Sequence, residues 1–483
     1  MEYDIAVIGG GPAGYTAAIK AARLGAKTVL VEKDELGGTC LNRGCIPTKA
    51  LLKTAELVHE ILGAAERGIV VGGGSPPAVS VDMDAVIKEK NRVVKKLTSG
   101  VGALLKSNGV EVIKGEGKLA GAGTPGFNVA VQTQNAERVF SAKKVILAGG
   151  SVTAKLPIPG LDLPGVLGST EILDIKEIPP RLAVIGGGVI GVEMAMVFQA
   201  FGSKVSIIEA LPEILPLMDG EASSFVHSIL AKRGADIYTG TGLQKIEKKD
   251  SGNGRDSALT LVLADGKTLE ADKVLVSIGR TADLSSAAPS AGGLSVQTDK
   301  GKVVVNDYME SSVPGVFAPG DINGKKMLAH AAFGMAEAAA ENAAVQLGIV
   351  QGGLKKAELD YIPQVVYSFP EAASAGLTQA DAEKQEQVLV GKFPLTINGR
   401  ALASGNPGGF VKVIAGKYGK ILGVHIVGQG ASEIINEAAA LMAMEITVYE
   451  LADIIHAHPT VSEALMEAAA DALGRSIHLP PKK

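Results

Sequence analysis

Apolar residues fall in short runs that alternate with longer stretches of helical period, the signature of β-α-β units. The first run, Ile5 to Ile8, leads into G-x-G-x-x-G; a helical stretch follows, then Gly25 and a second apolar run ending at Glu32. Residues 180–210 repeat the plan without a gap: Leu182 to Ile185, a second G-x-G-x-x-G, a helical stretch, Gly202 and an apolar run ending at Glu209. The two copies, residues 3–33 and 180–210, are offset by 177, and in both the acid stands 18 residues after the last motif glycine. Each copy predicts strand, helix and strand, with a glycine turn at the first junction.

That spacing has a specific physical use. The first glycine (Gly9, Gly186) makes the tight turn, the second (Gly11, Gly188) lets a pyrophosphate approach the backbone, and the third (Gly14, Gly191) lets helix and strand pack closely. The residues between them, Pro12 and Ala13 or Val189 and Ile190, open the helix whose N-terminus favours an anion. Glu32 and Glu209 suit ribose hydroxyls and would repel a 2′-phosphate. Glycine turns without a ligand are the competing reading of either copy alone; two complete copies point to two dinucleotide sites.

Shorter buried-strand signals end in glycine turns at Lys144 to Ser151 and Lys273 to Arg280, with a third at Val316 to Asp321; these are expected to complete the two nucleotide domains. Residues 48–66 and 82–107 predict two helices separated by VGGGSPPAVS at 71–80, and residues 351–360 resemble a linker. Strands at Val411 to Ile414 and Ile421 to Val427, with helices around 431–444 and 461–473, predict an α+β C-terminal domain. The expected fold is α/β, with two Rossmann-like domains plus this third one. Expected boundaries are 1–150, 151–275, 276–348 for a segment completing the first nucleotide region, and 349–483.

At 483 residues and 46% hydrophobic content, the chain can bury several cores. Its 61 glycines suit tight turns and close backbone approaches to a ligand. A formal charge of −4 without a basic block argues against nucleic acid or an anionic membrane as the main partner. The longest uncharged stretch, around Ala120 to Ala136, is too polar to span a bilayer. The start MEYDIAVIGG lacks a secretory signal's basic and apolar segments, so a cytoplasmic location is expected.

Only two cysteines occur, Cys40 and Cys45, in GGTCLNRGCIPTK directly after the first repeat. Five residues apart on an ideal helix, their side chains diverge by about 140°, so bridging them requires an irregular first turn. Gly37, Gly38 and Gly44 permit one. Half of a metal site and two inert thiols are the alternatives to a redox-active pair; no histidine lies within a dozen residues to complete a zinc site. Of seven histidines, His458 stands out, followed by Pro459 and five residues before Glu463, a carboxylate able to orient its ring.

Taken together, these motifs resemble the pyridine-nucleotide flavin disulfide reductases (class I pyridine nucleotide-disulfide oxidoreductases), and within them the dihydrolipoyl dehydrogenases. The resemblance covers nearly the whole chain: Gly9, Gly11, Gly14 and Glu32; Cys40 to Lys49; Gly186, Gly188, Gly191, Glu193 and Glu209; Ile278-Gly279-Arg280; Gly320-Asp321; Met327 to His330; and His456 to Glu463.

The resemblance implies FAD on the first repeat and NAD on the second. It implies that Cys40 exchanges with the substrate disulfide, that Cys45 faces the flavin as a thiolate, and that Lys49 pairs with Glu193 near the flavin. Lys33, Gly38, Thr39, Gly117, Gly149, Gly150, Ser151, Asp321, Met327, Leu328, Ala329 and His330 would complete the flavin cradle, and Ile246 and Gly279 would touch NAD. His458 becomes the acid-base and Glu463 its partner, reaching the disulfide of the other subunit of a homodimer; His456 takes a supporting place.

The implied reaction is oxidation of a dihydrolipoyl group carried on another protein, in a 2-oxo-acid dehydrogenase complex or on the glycine cleavage H protein. A glutathione-reductase-like enzyme is disfavoured by Glu209, by the absence of Arg in ALPEILPLM, and by GCIPTK; mercuric reductase would need a further C-terminal cysteine pair. A non-catalytic redox-sensing or complex subunit is the reading from another class, disfavoured by the intact Cys40, Cys45, His458 and Glu463. Gly149, Pro319 and Thr281-Ala282-Asp283 depart from the family pattern.

Overall fold

Parallel strands buried on both faces read as unbroken apolar runs, and both repeat copies fold accordingly. The computed structural model describes residues 2–72, 79–248, 258–287 and 294–481; much of the 71–80 stretch lies outside them. The chain divides into two compact units, one comprising 1–50, 87–155 and 279–359, the other 51–86, 156–278 and 360–483.

In the first unit, strand Glu2–Ile8 is flanked in parallel by Thr28–Glu32 and by Glu137–Leu147, and Thr28–Glu32 pairs in turn with Glu111–Lys114. The strand Val316–Phe317 joins in parallel at Val145 and Ile146. Strands Phe127–Gln132 and Glu116–Ala122 extend the same sheet antiparallel. Helix Pro12–Arg23 is the crossover of the first copy and packs along helix Ala329–Gln346.

In the second unit, five parallel strands run in the order Asp236–Tyr238, Lys204–Ile208, Arg181–Ile185, Lys273–Val276, Val166–Gly168. Helix Val189–Ala200 is the crossover. An antiparallel meander, Leu243–Lys248, Leu259–Leu263 and Thr268–Ala271, packs its apolar face on this sheet through Ile246, Leu261 and Val274. The same unit carries a five-stranded antiparallel sheet in which Phe410–Gly416 pairs with Ile421–Gly428; helices Ala431–Ala443 and Glu463–Ala472 cover its core. The two helices expected at 48–66 and 82–107 are Cys45–Gly63 and Met83–Ser107. Residues 351–359 form neither helix nor strand.

Candidate functional site

The glycine turns do what their spacing predicts. Gly9 and Gly186 adopt φ of +105° and +101°. A Cβ on Gly14 would sit 1.7 Å from the Gly9 carbonyl oxygen, and one on Gly191 2.0 Å from that of Gly186, so these positions exclude any side chain. The middle glycines are the opposite: a Cβ on Gly11 would meet only the Gly38 Cα, at 3.8 Å, and one on Gly188 nothing within 4 Å. Both helices begin without a side-chain cap, leaving N–H groups for an anion.

The two acids are held alike. Glu32 accepts from the Gly10 and Asp34 amides at 2.5 and 2.6 Å; Glu209 accepts from Gly187 and Leu211 at 2.7 and 2.8 Å. Gly10 and Gly187 therefore matter as donors as well as spacers. The motif shows them only as an unspecified position, which is why sequence reasoning passed over them.

Around the first turn lie the other residues singled out for the flavin. Gly117 crosses the strand ends so closely that a Cβ would come within 2.9 Å of Ile8 and Val31 side chains. Gly320 lies against Ala13, bringing Asp321 to the helix start, where Ser151 donates to its carboxylate at 2.6 Å. Arg280 donates to the Ser151 hydroxyl at 2.7 Å and to its carbonyl oxygen at 2.5 Å. Lys33 pairs with Asp283 at 3.0 Å. Met327 and Leu328 lead into helix Ala329–Gln346, whose N-terminus also lacks a side-chain cap. Two departures from the family pattern meet here: a Cβ on Gly149 would lie 2.8 Å from the Asp283 carbonyl oxygen, so the glycine makes room for the Asp283 turn.

The cysteine segment breaks at Gly44. Helix Gly38–Arg43 ends there at φ −147°, ψ −113°, and a new helix starts at Cys45, which is the irregularity the five-residue spacing requires. The two cysteines are thiols rather than a disulfide here, Cys45 exposed and Cys40 half-buried. A hydrogen bond to Cys45, then burial and the charge of its partner sulfur, push the Cys40 thiol up, while Lys49 pulls it down. The described residues contain no cluster of metal-ligating side chains.

In the second unit, Glu193 is 2% exposed and accepts from the Tyr367 amide at 3.0 Å, tying the crossover helix to the C-terminal sheet. Val189 and Ile190 open that helix. Ile246 has its side chain in the core and its amide on Pro159 at 2.9 Å. Gly279, in the first unit, adopts φ +104° and accepts from the Ala154 amide at 3.0 Å.

His458 Nδ1 lies 2.9 Å from Glu463 Oε1, and the other Glu463 oxygen accepts from the Thr460 amide at 2.8 Å. Burial alone would raise the Glu463 carboxyl; the Thr460 amide, His458 and His456 outweigh it and hold it below the usual range. The His458 side chain is 76% exposed. His456 is buried between Glu437, at 2.9 Å, and the Ile454 carbonyl oxygen, at 3.1 Å. Glu437 is a partner that spacing could not reveal, because it comes from a separate helix.

Two dinucleotide-type β-α-β units, a vicinal thiol pair after the first and a histidine–carboxylate pair in a separate α+β region are the make-up of a nucleotide-dependent disulfide oxidoreductase. The pyridine nucleotide-disulphide oxidoreductase model matches residues 3–336, and the dimerisation-domain model of the same family matches 362–469. The chain belongs to the pyridine nucleotide-disulfide oxidoreductase family. It is 38% identical over 489 residues to a dihydrolipoyl dehydrogenase of Bacillus subtilis (strain 168), covering 99% of each chain. A dihydrolipoyl dehydrogenase of Thermus scotoductus is 40% identical over 485 residues, again with 99% of each chain covered. Among solved structures, LpdA of Mycobacterium tuberculosis superposes with a TM-score of 0.85 at 25% identity, over 96% of this chain and 99% of that one. The HOCl-induced flavoprotein disulfide reductase RclA of Escherichia coli gives 0.83 at 26%, over 97% and 99%. No helix among the described residues is long and apolar enough to cross a membrane.

Proposed function

We infer that this chain oxidises protein-bound dihydrolipoyl groups to the disulfide with NAD+ as acceptor, through FAD and the Cys40–Cys45 pair. The observation that carries the reading is the vicinal thiol pair, set beside a glycine turn and acid that fit a dinucleotide, in a chain similar end to end to dihydrolipoyl dehydrogenases. Gly9, Gly11, Gly14, Glu32, Ser151 and Asp321 would hold FAD. Gly186, Gly188, Gly191 and Glu209 would hold NAD. The chemistry these cofactors supply is uptake of the dithiol's electron pair and its delivery as hydride.

The chain's own residues handle protons and sulfur. Glu463 accepts the Nδ1 hydrogen of His458, which leaves Nε2 to take the proton of the first lipoyl thiol. That sulfur attacks Cys40 Sγ, the Cys40–Cys45 bond breaks, and Cys45 leaves as a thiolate. The second lipoyl sulfur then displaces Cys40, which takes its proton, and cyclic disulfide departs. Lys49 and Glu193 complete the catalytic set. Residues 1–150 and 276–348 form the FAD region, 151–275 the NAD domain and 349–483 the interface domain. The working form is a homodimer in which His458 and Glu463 serve the partner's disulfide, and the substrate arm belongs to a 2-oxo-acid dehydrogenase complex or the glycine cleavage H protein.

His458→Gln tests this directly. Its reduction by dihydrolipoamide, followed by stopped-flow flavin absorbance, is expected to slow by about 10²–10⁴-fold with FAD content unchanged. Wild-type reduction rates would remove His458 from the reaction.

A further inference from the structure

We propose that Asn398 is a positioning residue that holds Glu463, and through it the His458 ring, in the geometry that proton removal from the dithiol needs. This deepens the reaction inferred above and rests on it. Asn398 is 5% exposed and stands between strand Val388–Pro394 and helix Gly399–Ser404. Its Oδ1 accepts from the Ala401 amide at 2.9 Å, capping that helix. Its Nδ2 donates to the Thr460 carbonyl oxygen at 3.1 Å, 62 residues further along the chain. A backbone amide only donates and a carbonyl only accepts, so the side chain has one permitted orientation. Capping alone does not call for asparagine: Ser and Asp cap as well, but Asp has no donor and Ser has its one oxygen at the cap.

Thr460 is where this tether acts. Its amide donates to Glu463 Oε2 at 2.8 Å, and its hydroxyl donates to the Ala457 carbonyl oxygen at 2.7 Å. With its carbonyl taken by Asn398, every polar group of Thr460 is committed. Glu463 opens helix Glu463–Ala472, and its Oε1 holds His458 Nδ1 at 2.9 Å. The His458 side chain is 76% exposed, so that bond, not packing, aims Nε2. The anchor end is rigid: the Asn398 amide donates to the Leu395 carbonyl oxygen at 3.0 Å, and the fully buried Leu395 shares a core with Ala464 and Leu465. The loop end is not. Pro459 and Thr460 line a cavity of about 370 Å³ together with Arg400, Gln429 and Glu433, so the loop lacks packed support there and the Asn398 bond supplies it. Displacing a reacting group by about 1 Å costs on the order of 10²-fold in rate, which is the scale on which such a tether matters.

The test follows flavin reduction by dihydrolipoamide in anaerobic stopped flow, on the FAD-loaded enzyme, for Asn398→Ser, His458→Gln and the double variant. Ser keeps the helix cap and loses the bond to Thr460. Asn398→Ser is therefore expected to lower the limiting rate by about tenfold or more, with the half-saturating dihydrolipoamide concentration near wild type. In the His458→Gln background the same substitution is expected to add nothing, because a residue that acts through the ring is silent once the ring is gone.

A wild-type limiting rate in Asn398→Ser, a loss confined to the half-saturating concentration, or an equal fold loss in both backgrounds would overturn the proposal and leave Asn398 a helix cap. If Asn398→Ser fails to fold or to load FAD, Asn398→Asp, which also keeps the cap and lacks the donor, goes through the same cycle and the same readings decide. Slow reduction in His458→Gln beside fast reduction in Asn398→Ser strikes the tether alone. Fast reduction in His458→Gln strikes the proposed reaction, and the tether with it.

Discussion

Glycines of one motif carry different burdens, and single substitutions separate them. Gly14→Ala places a methyl where the Gly9 carbonyl already stands, so the turn itself must move. The expected cost exceeds about 2 kcal/mol, read as a lower thermal midpoint of the apoprotein with little FAD bound. Gly11→Ala meets only an ordinary contact with the Gly38 Cα at 3.8 Å, and the apoprotein should melt as wild type while FAD retention falls, because the methyl occupies the ligand's approach. Equal melting losses in both would contradict this division. The glycines, the two acids and the cysteines were legible in the sequence because their chemistry follows from spacing. Ser151, Arg280 and Glu437 find their partners 170, 129 and 19 residues away, and only the fold reveals them.

Elements with strong contrast were equally legible. Both β-α-β copies, helices Cys45–Gly63 and Met83–Ser107 and the paired strands 410–416 and 421–428 stand where apolar runs and helical periods place them, although residues 51–86 belong to the second unit and not, as the sequence suggested, to the first. Helix Ala329–Gln346 was not, because alanine fills its buried face and gives little contrast with the rest. The meander 243–271 was missed because its short strands mix charged and apolar residues. A buried pair, Lys412 with Asp219 at 3.0 Å, joins the C-terminal sheet to helix Gly220–Lys232, which Asp219 caps. Lys412→Met should cost about 3–5 kcal/mol in denaturant unfolding, since it leaves a buried carboxylate unpaired. Burial works to raise the Asp219 carboxyl, yet His425, Lys412 and the Gln379 amide hold it below the usual range. Its contribution is therefore complete above about pH 4 and is lost as pH falls through the lower folded value. The gap between wild type and variant should narrow in acid; a gap that widens there would contradict the pairing.

Across the two subunits that the dimerisation-domain match implies, a shared catalytic site is open to a complementation test. If His458 of one subunit serves the cysteines of the other, Cys45→Ser and His458→Gln chains are each inactive. Co-refolded, they should recover up to about a quarter of wild-type activity, because half of the dimers hold one intact site. No recovery, with mixed dimers demonstrated by tagged purification, would place each site within one chain. The repeat and its glycines made the cofactor plan readable; the choice of partner subunit lies beyond any local pattern.

Substrate choice separates a lipoyl dehydrogenase from a glutathione-type reductase in a single assay. On a single flavin-loaded preparation, initial rates are compared for NAD+ reduction by dihydrolipoamide and for NADPH oxidation by glutathione disulfide. Rapid NAD+ reduction with negligible NADPH oxidation is the predicted result, given Glu209 clamped on the Gly187 amide at the second repeat. The reverse pattern would contradict it, leaving the fold and thiol pair in place with a different disulfide as substrate.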